Sequence, residues 1–124
     1  MIEPKRFSFA ARCKSFTFAL KGLRYLVCHE HNFSVHIAIA IGVIGFGAGF
    51  QITKTEWLWL IIAIGSVMSA EAMNTAIERV CDAVTPNYDR LIGVAKDVAA
   101  GAVLINAGIS AIIGMIIFGP YLLV

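Results

Sequence analysis

The chain has 124 residues, of which 59% are hydrophobic and 15% charged, with a net charge of +2 and a mean hydropathy of +0.81. That much apolar surface exceeds what a water-soluble domain of this size can hide, so the composition points to a small integral membrane protein. The slight basic excess excludes a nucleic-acid binder.

The amino-terminal segment lacks the order of basic stub, apolar run and small-residue cleavage site that marks a removable signal. Phe9, Phe16, Leu20, Leu23 and Val27 align on one helical face, with Lys14 and Lys21 on another. This pattern predicts an amphipathic helix over about 7–29 lying in the membrane interface, either as an anchor or as a wall over a site at the surface. Cys13, Cys28 and Cys81 form no CxxC pair and read as small apolar fillers. His29, Glu30 and His31 have the look of metal ligands, but neighbours one and two apart do not share a helix face, so a histidine site is not expected.

Three apolar stretches approach the roughly 20 residues that cross a bilayer, over about 33–50, 57–83 and 92–119. Residues 51–56 make a short first turn, and Thr85-Pro86-Asn87-Tyr88-Asp89 breaks the chain before the third span. Gly45 and Gly49 form a GxxxG step, Ala38 and Gly42 a second small pair, and the third span is rich in Ala and Gly, all of which favour close helix association. Lys5, Arg6, Arg12, Lys14, Lys21 and Arg24 precede the first span and Arg79, Arg90 and Lys96 flank the second connection, whereas only Lys54 lies in the first turn. The positive-inside rule therefore puts the amino terminus and residues 79–96 in the cytoplasm, and the 51–56 turn outside.

The second span runs into a polar motif. Glu71, Asn74, Thr75, Glu78 and Asp82 fall in one sector of a helix, while Ala72, Met73, Ile77, Val80 and Cys81 take the remainder. Carboxylates at this depth are costly and are usually kept for function. Glu71 and Glu78 lie about 10 Å apart along the helix axis, which suits two tasks better than one shared proton. Glu71, slightly inside the interface, suits a general base acting on a lipid hydroxyl. Glu78, two turns nearer the cytoplasm, suits a hard cation such as magnesium. Lys96 and Asp97 add a cation for phosphate and a further acid, and no Gly-rich phosphate loop occurs. Two other classes use similar features: a small ion carrier, which would not need Lys96-Asp97, and a non-enzymatic assembly subunit, in which the polar face only specifies packing.

Glu71-x-x-Asn74-Thr75-Ala76-Ile77-Glu78-x-x-x-Asp82, followed by Ala95-Lys96-Asp97-Val98-Ala99-Ala100-Gly101-Ala102-Val103-Leu104, resembles the signature of the prokaryotic diacylglycerol kinase family. The resemblance extends upstream through Lys21-Gly22-Leu23 and Glu30 and so covers nearly the whole chain. It implies an all-α homotrimer in the bacterial inner membrane, with an amino-terminal surface helix and three transmembrane helices per subunit. It also implies transfer of the γ-phosphoryl group of ATP, with Mg2+, to a lipid alcohol. On matching positions, Glu71 would be the catalytic base, and Glu30 with Glu78 would hold the metal. Asn74, Lys96 and Asp97 would contact nucleotide or orient the reacting groups, Asp82 would support the site, and Asn87, Tyr88 and Asp89 occupy a further place where nucleotide is touched. Glu30-x-Asn32-x-x-x-His36 resembles the branch that includes undecaprenol kinases, which makes undecaprenol the favoured lipid with diacylglycerol as the other.

Overall fold

The computed structural model describes residues 2–124. They form four helices in chain order: α1 (Phe9–His29), α2 (His31–Phe50), α3 (Lys54–Val84) and α4 (Arg90–Leu122). No strand occurs among the described residues, and α2, α3 and α4 are each long and apolar enough to cross a bilayer.

Each boundary has a local cause. Ser8 caps α1, its hydroxyl accepting from Ala11 N at 3.3 Å. The turn between α1 and α2 is a single extended residue, Glu30 (φ −113°, ψ 107°), which ends one helix and starts the next. At the end of α2, Gln51 takes the left-handed conformation (φ 54°), Gln51 N donates to Ala48 O and Ile52 N to Gly47 O. These two bonds satisfy carbonyls that the helix end would otherwise leave unpaired, at a conformational cost of about 1 kcal/mol for a non-glycine residue. A reciprocal capping box starts α3: Glu56 N donates to Thr53 Oγ1 at 3.2 Å and Thr53 N to Glu56 Oε1 at 3.0 Å. Asp89 caps α4, Oδ1 accepting from Leu91 N and Ile92 N.

The helices are held differently at their two ends. Around the α2–α3 turn, Ile52, Leu60 and Ile117 are buried beneath Val43, Phe50, Trp57, Phe118 and Tyr121. The Trp57 ring lies so close over Gly47 that a Cβ there would stand 2.8 Å from Cη2, which is why the smallest residue occupies the position. Tyr121 Oη donates to Glu56 Oε1 at 2.6 Å, joining the last turn of α4 to the first of α3. At mid-bundle, Ser110 Oγ donates to Ala63 O. The opposite end, where α1 approaches, buries Leu26 and Phe33 and adds polar side-chain contacts between the helices.

On α1, the apolar stripe of Phe9, Phe16, Leu20, Leu23 and Val27 remains exposed, and the buried residue is Leu26, off that stripe by about a quarter turn. One side of α1 thus docks on the bundle while the stripe stays available to a membrane interface.

Candidate active site

The site grows from the α3 wall. α3 has 31 residues and so extends about 46 Å, well beyond a hydrocarbon core of about 30 Å. Counting about 20 residues from Trp57 brings the helix to the inner edge of the core near residue 76. Glu71 then lies within the apolar slab, while Glu78 and Asp82 emerge from it.

The side chains divide along the same line. Glu71, Asn74 and Thr75 are buried at 5%, 8% and 5% exposure, and Glu78 is half-buried. Asp82, expected on this same wall, is exposed, and Cys81, expected on the other side, is buried in its place. Position 81 falls close to Asn74 on the wheel and continues the buried stripe through Ala63 and Val67. Asp82 is in phase with buried Glu71 and Thr75, but it stands in the last turn of α3, where its partners are the exposed side chains of Arg79 and Lys96.

Four side chains from outside α3 meet it. His36 of α2 reaches Glu71, with Nε2 3.2 Å from Oε1. Glu30, at the α1–α2 break, forms an ion pair through Oε1 with Nη2 of Arg79. Arg79 also donates from Nε to Tyr25 Oη at 2.9 Å and lies over that ring, with Nη1 3.8 Å from Asp82 Oδ2. Lys96 of α4 donates to Asp82 Oδ1 at 2.5 Å. An exposed pair alone adds little stability, but here Arg79 joins α1, the α1–α2 break and α3, and Asp82 carries the chain of charges on to α4.

Within the wall, Asn74 Nδ2 donates to Glu78 Oε1 at 3.2 Å, and Asn74 Oδ1 is buried without a hydrogen-bond partner. A buried polar atom left unpaired costs about 1–3 kcal/mol, so its retention marks a group kept for another use. Both Glu30 and Glu78 spend one carboxylate oxygen on a protein partner and keep Oε2. That hard-oxygen donor set fits magnesium, which commonly takes one or two carboxylates and completes its shell with phosphate and water.

Other expected residues stand apart. Asp97 is exposed next to Lys96 and does not join the charge network. Asp89 uses Oδ1 in capping α4, Asn87 N bonds Thr85 Oγ1 in the loop, and Tyr88 is exposed with its ring 3.7 Å from where a Gly93 Cβ would lie. No group of three or more His, Cys, Asp or Glu residues able to hold a metal occurs among the described residues, and His29 stacks on Tyr25. His36 was expected only as part of a branch pattern. The signal for more was its position, since an ionisable residue inside an apolar span calls for a partner.

An apolar cavity of about 300 Å3 begins at His36 and runs between α2, α3 and α4 past Ile39, Val43, Val67 and Met68 to Phe118.

The family model described as prokaryotic diacylglycerol kinase matches residues 17–118. A protein of Bacillus subtilis (strain 168) named undecaprenol kinase is 41% identical over 109 residues, covering 88% of this chain and 89% of its own length. A diacylglycerol kinase of Synechocystis sp. is 34% identical over 110 residues, 88% of this chain but 63% of that protein. The diacylglycerol kinase of Escherichia coli (strain K12) is 32% identical over 98 residues, 78% of this chain and 80% of its own. The match takes in the α3 wall, the α1–α2 break and nearly all of α4, and it sets aside the ion-carrier and assembly-subunit readings: the chain belongs to the prokaryotic diacylglycerol kinase family and is a lipid kinase.

Proposed function

We propose that the chain transfers the γ-phosphoryl group of ATP to the hydroxyl of undecaprenol, with diacylglycerol as the weaker acceptor. The observation that carries the reading is the buried Glu71 carboxylate, bonded to His36 at 3.2 Å beside an apolar cavity that starts at the same histidine. A lipid alcohol presents its hydroxyl from the hydrocarbon side and a nucleotide approaches from water, so a base at this boundary serves both.

Glu71 takes the hydroxyl proton as the lipid oxygen forms its bond to the γ-phosphorus and the bond to the bridging oxygen of ADP breaks. Glu30 and Glu78 would hold magnesium, which would supply neutralisation of phosphate charge. Lys96, kept in place by Asp82, meets the phosphates as a second cation. Asn74 holds the Glu78 carboxylate and keeps its own unpaired Oδ1 for a donor brought by the nucleotide. Asp97 orients the reacting groups beside Lys96, and Asn87, Tyr88 and Asp89 border the nucleotide through the exposed α3–α4 loop. The basic segments put this end in the cytoplasm of a bacterial inner membrane. The chain works as a homotrimer, a reading supported by the long apolar faces that each subunit leaves exposed.

The Glu30-x-Asn32-x-x-x-His36 pattern and the 41% identical relative named undecaprenol kinase favour the polyprenol. Purified protein given radiolabelled ATP, magnesium and equal amounts of undecaprenol and diacylglycerol in mixed micelles should label mainly the polyprenol. Preferential labelling of diacylglycerol overturns the choice of lipid. Glu71→Gln should lower the rate by about 10²- to 10⁴-fold, the usual worth of a positioned base. Undiminished turnover by this variant overturns the assigned base.

A further inference from the structure

His36 is the ionisable residue of α2 beyond its first turn, and it stands inside a helix that is otherwise suited to lipid. A polar side chain there needs a partner that repays its burial. It has one: Nε2 lies 3.2 Å from Glu71 Oε1, with the two side chains 22% and 7% exposed. Among the described residues no other side chain is hydrogen-bonded to Glu71, because the nearest amide on the wall, Asn74 Nδ2, is turned to Glu78.

We infer that His36 is a positioning residue for Glu71, and that it fixes which carboxylate oxygen receives the lipid proton. The inference rests on the reading of Glu71 as the base. With its proton on Nε2, the imidazole donates to Oε1 and restrains rotation of the carboxylate, so Oε2 is the oxygen left with free lone pairs. The same ring lines the apolar cavity, so the histidine that restrains the carboxylate also borders a space suited to an apolar chain. A base that must meet an alcohol carried on a long, mobile chain gains from such restraint, since a misplacement of about 1 Å can cost on the order of 100-fold in rate.

Replacement by glutamine tests the geometry, because its amide nitrogen can reach approximately where Nε2 lies and can still donate. His36→Leu should lower kcat on the order of 10- to 100-fold, the usual worth of a hydrogen bond to a charged group, while KM for ATP stays within about twofold. His36→Gln should restore most of the loss. The double variant His36→Leu with Glu71→Gln should be no slower than Glu71→Gln alone, since residues that act through one another do not add. Should His36→Leu fail to assemble, His36→Ala serves instead: free imidazole can enter the space left beside the cavity and should raise its rate in a saturable way.

Wild-type kcat in His36→Leu, with Glu71→Gln inactive, overturns the positioning role and leaves the base standing. An active Glu71→Gln overturns the base itself. Loss in His36→Leu that neither glutamine nor imidazole recovers, or that appears as a raised KM for ATP, shows that the histidine acts by another route and also overturns the inference.

Discussion

Asn74→Leu separates what the α3 wall does for stability from what it does for the reaction. The two side chains share a branched skeleton of four heavy atoms, but leucine is bulkier and tetrahedral at Cγ, so at this buried position the substitution costs up to about 1–3 kcal/mol of overpacking. It removes two polar atoms of opposite standing. Nδ2 donates to the Glu78 carboxylate at 3.2 Å, and a hydrogen bond to a charged group is worth about 1.5–3 kcal/mol. Oδ1 is buried without a partner, and its removal recovers about 1–3 kcal/mol of desolvation cost. For folding the two terms nearly cancel, the more so because half-buried Glu78 can take water in place of the amide. The unfolding free energy of the variant should therefore fall by no more than the cost of the added bulk, about 1–3 kcal/mol. For the reaction nothing compensates, because Glu78 loses the bond that fixes its free oxygen for magnesium. The rate should fall about 10- to 150-fold, the exponential equivalent of the lost bond. The assay pairs denaturant unfolding in detergent with initial rates of labelled phosphate transfer across a magnesium titration. A stability loss of several kcal/mol that parallels the loss of rate would refute the reasoning, as would an unchanged rate.

Arg79→Ala frees Glu30 from the ion pair that occupies Oε1, so the magnesium concentration for half-maximal rate should fall by about two- to fivefold, as expected for an exposed pair. A higher requirement in the titration would show that the pair presents Glu30 to the metal and does not compete with it. Gly47→Ala puts a methyl 2.8 Å from Trp57 Cη2 and 3.1 Å from Ile52 Cδ1, and such overpacking costs about 1–3 kcal/mol, partly offset by the better helix propensity of alanine. Trp57→Phe removes the part of the ring that is struck, so a double-mutant cycle in thermal unfolding should show alanine tolerated in the phenylalanine background; equal losses in both backgrounds would contradict the contact.

The parts of the fold legible in the sequence are those governed by neighbours along the chain. Apolar length and breakers reveal an all-helical membrane protein, and the 100° step of a helix places Glu71, Asn74, Thr75 and Glu78 on one wall because their spacing is local. Asp82 and Cys81 show the limit of that argument. Asp82 shares the phase of buried Glu71 and Thr75 yet is exposed near the helix end, whereas Cys81, just outside the polar sector, is buried, so the extent of packing along α3 decides which is covered. Thr53 and Glu56 carry the signal of a capping box in their spacing, and the structure shows it formed. The pairs His36 with Glu71 and Glu30 with Arg79 were hidden for a different reason. Their members stand 35 and 49 residues apart, so each depends on the register of one helix against another, which no local periodicity encodes. The single-residue break at Glu30 had the same character: an extended residue between two helices turns the carboxylate off both helical tracks, and only the packed arrangement brings it to Arg79.

Those two pairs also explain how a chain with so small a core keeps a site in order. Within a bilayer, apolar side chains gain little by leaving lipid for one another, so helix register must come from close packing and from polar contacts. Close packing is concentrated at the α2–α3 turn, where Trp57 seats on Gly47 and Tyr121 reaches Glu56. At the far end the contacts that bring α1 and α2 to α3 are largely polar: Tyr25 and Glu30 to Arg79, and His36 to Glu71. Apart from Tyr25, which reaches the site through Arg79, every one of these either is a proposed site residue or touches one. Alignment and chemistry therefore depend on the same bonds, and a ligand that competes for Glu30 also loosens the tie between α1 and α3. The apolar cavity lies between the two regimes, lined by Phe118 toward the packed end and by His36 toward the polar end.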